Sequence, residues 1–320
     1  MGGLIAIYRK ELGDYFSSYR FVILFALIAM VSFITSYMAA ISLRETISRD
    51  AMSGRFLFLM LFSTEGARFS MIQFVAFFGP LIGLFLGFDA INRERAHGTL
   101  VKVVSQPIYR DAVINGKFLA GATVVTVMII SIVLVIAGFG LILLGVVPQV
   151  EEILRIAVYV VISIFYIAFW LGVSILFSIL FRSTATSALA SVAAWILLSF
   201  VVFFGASAVA NAVAPVDQRR TTDLETVMRN IQVSEAISLF SPMVLYTNAT
   251  STIVDPKVNT TKTLIMQGPW EQILSARFQN PLSLGQSIVV VLPYLVSLVA
   301  ITLICFAISY TVFMVQEIRM

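Results

Sequence analysis

Of 320 residues, 59% are hydrophobic and only 12% are charged, and the mean hydropathy is +0.98. A chain of this composition has too little polar surface to cover a water-soluble globule, so it is an integral membrane protein. The formal net charge of +4 is small and reads as membrane topology, not as nucleic-acid binding.

The opening residues MGGLIAIYRKELGD place Arg9, Lys10, Glu11 and Asp14 ahead of any apolar run, which argues against a cleavable signal. Leu4, Ile5, Tyr8, Leu12, Tyr15, Phe16 and Tyr19 recur at helical spacing, with Arg9, Lys10, Glu11, Asp14 and Ser18 opposite them. That pattern predicts an amphipathic helix over 1–20 lying in the membrane interface, of which a simple topology anchor is the plainest use.

A spanning helix needs about 20 mostly apolar residues, because the hydrocarbon layer is about 30 Å thick and each residue rises about 1.5 Å. Six runs qualify: Phe21 to Ile41, Met71 to Ile91, Phe118 to Val147, Ile153 to Phe181, Ala188 to Val213, and Ile288 to Val315. They lack the strict alternation of a membrane strand, so all six are helices. The expected fold is an all-α integral membrane protein, with five spans over 21–213 and the sixth, with its tail, over 288–320.

Lys and Arg gather at one set of helix ends: Arg9, Lys10, Arg20, Arg93, Arg95, Lys102, Arg110, Lys117, Arg182 and Arg319. The opposite short loops hold Arg44, Arg49, Arg55, Arg68 and Arg155. This asymmetry places both termini in the cytoplasm of a multi-pass protein of the cell membrane.

Within the second span Gly79, Gly83 and Gly87 fall four residues apart, which suits either a dimer contact or packing inside one subunit. Pro80 and Pro293 are expected to bend their helices. The loop that follows, 92–117, reads NRERAHGTLVKVVSQPIYRDAVINGK. Gly98-Thr99 should break the end of the second span, Thr99 can cap a new helix, and Pro107 ends it after less than two turns. Arg110 and Asp111 then open the helix of the third span. A helix this short is marginal in water and becomes useful when something docks on it, the alternative being an ordinary charged connection.

The segment 214–287 is polar and is expected to form a small extracytoplasmic domain or lid. Thr222 and Glu225 form a capping box before an apolar face of Leu224, Val227, Met228, Ile231 and Ile237, and Ser241-Pro242 starts a further short helix. Asn248-Ala-Thr and Asn259-Thr-Thr are glycosylation-type sequons, although such triplets also arise by chance in Thr-rich loops.

Several chemistries are missing. The spans carry no acid, base or histidine at mid-membrane, so an ion- or proton-driven cycle has no site, and the driving force must come from outside the bilayer. The lone His97 has no partners for acid–base or metal roles, and Cys305 alone cannot form an internal disulfide or thiolate cluster. Gly116-Lys117 is followed by Phe118 and has Asp111 where a phosphate-binding loop needs glycine. The chain therefore has no ATPase site of that kind and no cofactor of its own, and an intramembrane enzyme is disfavoured.

Phe88-Asp89-Ala90-Ile91, Glu94, Gly98-Thr99-Leu100, Ser105, Pro107, Arg110 and Gly116-Lys117 resemble the loop after the second span of type-2 ATP-binding-cassette permeases. That family includes drug, polysaccharide and lipid exporters and the permease of nitrous-oxide-reductase maturation. Tyr8-Arg9-Lys10-Glu11-Leu12, Leu239-Phe240-Ser241-Pro242 and Gln316-Glu317-Ile318-Arg319 are similar to the family's opening, the turn before its last span, and its close. The outer segment departs from the resemblance, since most members have a shorter re-entrant turn there.

The resemblance implies a permease subunit whose short cytoplasmic coupling helix, about Thr99 to Ser105, inserts into a separate ATPase subunit. Leu100, Val101, Val103 and Val104 would make the apolar contact with Lys102 at its rim, and Glu94 and Arg95 would brace the helix. Gly98 and Pro107 bound it, and Arg182, Ser183 and Thr184 would form a second coupling turn. Two ATPase copies, which bind the ATP and Mg, and a second permease subunit in a homodimer complete the expected exporter within the lipid bilayer. The rival expectation is a membrane anchor that transmits ATPase motion to an extracytoplasmic partner without carrying a substrate.

Overall fold

A computed structural model describes residues 2–49, 56, 58–63, 70–96, 98, 109–145, 147–216, 224–255 and 282–316. Among the described residues there are helices and no strands, and six helices are long and apolar enough to cross a membrane. The chain is an all-α, multi-pass membrane protein. An amino-terminal helix, Gly2–Phe16, precedes the first span, Tyr19–Arg49. The second span is Met71–Gly87, and the third is Arg110–Phe139, finishing in a π-helical turn at Gly140–Leu144. The fourth is Val150–Leu180, and the fifth, Thr184–Val213, widens into a π-helical turn at Leu197–Val201. Two shorter helices, Leu224–Ser238 and Pro242–Val254, lead to the sixth span, Leu284–Val315.

The second and fourth spans are the most buried and form the centre of the bundle. Glycine makes their close approach feasible. A methyl group at Gly83 would lie 2.7 Å from the Ile167 carbonyl oxygen and 2.8 Å from the Leu171 nitrogen, and one at Gly87 would collide with the Ser174 hydroxyl. At Gly79 the neighbour is the softer Ile167 side chain, 3.0 Å away. This glycine face is covered by the chain's own fourth span.

Pro80 has no N–H, so the Ala76 carbonyl one turn earlier loses its helical donor. In hydrocarbon such an orphan costs several kcal/mol. The buried Tyr166 hydroxyl of the fourth span supplies the missing bond at 2.7 Å, and Ser174 donates similarly to the Leu84 carbonyl at 3.0 Å. Proline in one helix is thus matched by a hydroxyl in the next.

Among the described residues of the segment 214–287, two helices pack against the spans. Leu224–Ser238 doubles back along the end of the fifth span, where Asn230 donates to Asn211 at 3.0 Å and to the Ala214 carbonyl at 2.7 Å. Helix Pro242–Val254 packs against the second, fourth and sixth spans and is buried along most of its length. Tyr246 stacks on Tyr166, ring centroids 4.4 Å apart, halfway along the fourth span. The polar composition misleads because the hydroxyls bond to their own helix: Thr247 to Val244, Thr250 to Tyr246 and Ser251 to Thr247, at 3.1, 2.7 and 2.6 Å. Asn248 lies in this helix at 1% exposure, so it offers no acceptor for a glycan in the folded chain. Asn259 and Thr222 lie outside the described residues.

Candidate functional site

The second span ends earlier than Gly98-Thr99. Its helix stops at Gly87, and a turn over Phe88–Ile91 leads into a short helix, Asn92–Ala96. Side chains from elsewhere complete this break. The Tyr15 hydroxyl donates to the Leu86 carbonyl at 2.8 Å, and the Ser178 hydroxyl accepts from the backbone N–H groups of Ile91 and Asn92 at 3.0 and 3.2 Å. Ser178 therefore caps the new helix from the fourth span, a device invisible in the local sequence. Gly98, with φ +65°, is an exposed turn beyond it.

Four charges converge at the base of this helix. Lys117, about two turns inside the third span and 3% exposed at its side chain, donates to Glu11 at 2.9 Å and to Glu94 at 3.0 Å. Lys10 reaches the same two carboxylates at 3.0 and 3.2 Å and lies 3.6 Å from Asp14. Burial would raise the Glu11 carboxyl, but Lys117 and Lys10 outweigh it and hold the group below its ordinary range. Burial likewise works against the Lys10 ammonium, and Glu11 and Glu94 push it above its usual value. Burial, reinforced by the carboxylates of Glu11, Asp89 and Asp14, pushes the Tyr15 hydroxyl up, so it stays a neutral donor.

The amino-terminal helix reaches this cluster because Gly116 lets Ile7 approach; a methyl group there would lie 2.8 Å from Ile7 Cγ2. Tyr8 and Thr123 share a hydrogen bond of 3.1 Å along the same seam. The face turned to the protein thus includes Glu11 from the charged side of the helix, while Ile5 and Phe16 on the apolar side remain exposed.

The two limbs of the loop are also tied to the ends of the fourth and sixth spans. Arg95 donates to the Gln316 side chain at 2.9 Å. Arg110 donates to the carbonyls of Phe313 and Gln316 at 3.2 and 2.7 Å and lies over the Phe313 ring. Gln316 in turn donates to the Ile179 carbonyl at 3.3 Å, and Asn92 to the Ser183 carbonyl at 3.4 Å.

Among the sequence candidates, Glu94 stands at the centre of the charge cluster. Arg182, Ser183 and Thr184 form the turn into the fifth span, touching the loop through Asn92. Thr99, Leu100, Val101, Lys102, Val103, Val104 and Pro107 lie outside the described residues. Sequence reasoning missed Lys117, Glu11, Ser178 and Gln316 as partners. A lysine opening an apolar run was the one available signal, because a charge at such a position requires compensation.

A second polar centre occupies the other end of the fourth span. Arg155 is fully buried and donates to Glu151 at 2.9 Å, to the Ile253 and Leu282 carbonyls at 3.0 and 2.6 Å, and to the Ser287 hydroxyl at 3.1 Å. Its guanidinium also lies over the Phe56 ring, 5.2 Å from the centroid. Next to it, Glu152 accepts from the Phe58 and Gln149 nitrogens at 3.0 and 2.7 Å. One guanidinium thus joins the fourth span to the end of helix Pro242–Val254 and the start of the sixth span.

The sequence has counterparts among known proteins. A stretch of 85 residues is 34% identical to the probable ABC transporter permease protein NosY of Pseudomonas aeruginosa, covering 26% of this chain and 29% of that relative's length. The family of ABC-2 family transporter proteins matches residues 5–318, from within the amino-terminal helix to beyond the end of the sixth span. With its six spans and its charged loop after the second, the chain belongs to the ABC-2 transporter family.

Proposed function

We propose that this chain is the permease subunit of an ATP-driven exporter and that a separate cassette ATPase, which binds the ATP and Mg, docks on the loop after the second span. The observation that carries this reading is the bracing of the loop on both limbs. Glu94 is held by Lys117, Arg95 and Arg110 by the end of the sixth span, and Asn92 by Ser183 and Ser178. A push on the loop is delivered to the amino-terminal helix and to the third, fourth and sixth spans at once. Rigid-body motion of packed helices follows naturally from such a connection. Leu100, Val101, Val103 and Val104 would enter the ATPase, with Arg182, Ser183 and Thr184 as a second contact. Two such chains with two ATPases make the working unit, both termini facing the cytoplasm.

A second reading is favoured by Arg155. The fourth span runs unbroken from the Arg155 centre to Ser178 under the loop, so the same helix could convey ATPase motion to an extracytoplasmic partner without any cargo.

Co-purification tests the first step. The wild-type chain should bring its ATPase with it, whereas Leu100→Asp should lose it while the chain stays folded in membranes; retained binding would move the docking helix elsewhere. In liposomes, an exporter's ATP hydrolysis responds to a transported solute, and a transmitter's only to its outer partner.

A further inference from the structure

A cavity of about 650 Å³ opens at the corner where the amino-terminal helix turns through Ser17 and Ser18 into the first span. Its floor is the charge cluster, and its walls come from the end of the second span. We propose that it holds the headgroup of an amine-bearing glycerophospholipid from the leaflet on the amino-terminal side of the membrane.

Depth comes first. The lining includes Phe21, where the apolar stretch of the first span begins, together with Asp89 and Arg93 just past the end of the second. The cavity therefore lies at the level where hydrocarbon gives way to headgroups. Tyr19, 86% exposed, stands at its edge as aromatic residues do at that boundary. The volume falls within the range of small-molecule sites.

Charge selects the headgroup. Glu11, Asp14, Asp89 and Glu94 bring carboxylates, against the cations of Lys10, Arg93 and Lys117, so the described lining carries one excess negative charge. An anionic headgroup is disfavoured, and a ligand that presents an ammonium is preferred. Asp14 is well placed to meet it, with a side chain 65% exposed beside the half-exposed Lys10. The phosphate of the same headgroup would meet Lys10 and Arg93, whose guanidinium has five donors. A primary ammonium can donate hydrogen bonds to carboxylates, whereas a choline group cannot. The rings of Phe21, Phe85 and Phe88 provide the apolar wall along which acyl chains would leave.

The test uses the full-length purified chain, titrated with dioctanoyl-phosphatidylethanolamine, -phosphatidylcholine and -phosphatidylglycerol, and with soluble phosphoethanolamine, and read by native mass spectrometry and thermal shift. The ethanolamine lipid should bind about fivefold more tightly than the choline lipid, the scale of one partly exposed hydrogen bond, and the glycerol lipid most weakly. Asp14→Asn should erase the ethanolamine preference, and Arg93→Gln should weaken all three lipids alike. Equal binding of ethanolamine and choline lipids, or an undiminished preference in Asp14→Asn, overturns the proposal. Phosphoethanolamine binding as tightly as the lipid would make this a site for a soluble amine and overturn the lipid assignment. Unfolding of Asp14→Asn, checked by its melting without lipid, shifts the decision to Arg93→Gln, whose unchanged lipid affinity would also overturn it.

Discussion

Lys117 and Glu94 meet at 3.0 Å although one lies inside the third span and the other in the short helix after the second, and Glu11 meets the same ammonium at 2.9 Å. Three segments of the chain thus converge on one buried cation. Removing it leaves two carboxylates in a poorly hydrated place.

Lys117→Met is therefore expected to cost about 3–5 kcal/mol, the usual penalty for stripping one partner from a buried charge group. The check is thermal or denaturant unfolding of the purified chain. Adding Glu11→Gln to Lys117→Met should recover part of the loss, since one uncompensated charge then disappears; a double variant weaker by the full sum would count against the coupling.

Acidification should act on the same cluster. The Glu11 carboxyl is depressed in the folded chain relative to an ordinary value of 4.5. Its contribution is therefore complete above that value and is lost as the pH falls through the lower folded one. The melting temperature should decline on acidification below about 4.5, and the decline should be shallower in Glu11→Gln. An identical pH profile in the variant would remove Glu11 from the account.

Tyr166→Phe should cost about 1–3 kcal/mol by leaving the Ala76 carbonyl unpaired in the bundle. In a Pro80→Ala background the helix regains its own N–H for that carbonyl, and the cost of Tyr166→Phe should shrink. A double-mutant cycle measures the difference; additive costs would mean that the hydroxyl does not compensate the proline.

Gly83→Ala should separate the second and fourth spans and cost about 1–3 kcal/mol, because the new methyl meets backbone atoms that cannot turn aside. Gly79→Ala should cost less, since its neighbour is a side chain able to shift. At Gly13 nothing lies within 4 Å, so Gly13→Ala should be neutral or stabilising by up to about 1 kcal/mol. Melting temperatures of the three variants give the order.

Arg155→Lys retains the charge but cannot span Glu151, Ser287 and two separate carbonyls. A loss of about 1–3 kcal/mol is expected from the acceptors left unpaired. Cross-linking between cysteines introduced beside Ile253 and Leu282 should fall in the same variant, and unchanged cross-linking would show that Arg155 does not hold the two segments together.

The sequence by itself determined the six spans, because each needs about 20 apolar residues regardless of its neighbours. It also determined the boundary at Arg110 and the helices beginning near Leu224 and Pro242, since apolar periodicity and a proline in the first helical turn act locally. It left the partner of Glu94 open and put the break of the second span at Gly98 instead of Phe88, because that break depends on Tyr15 and Ser178, which are distant in sequence. It assigned helix Pro242–Val254 to an outer domain because composition counts hydroxyls as polar, whereas in the bundle they are satisfied by their own backbone. Only tertiary structure decided which side of the amino-terminal helix faces the protein, for the buried Lys117 recruits a carboxylate from the charged side. Periodicity records how a helix divides water from oil, and a compensating charge several turns or spans away leaves no periodic trace.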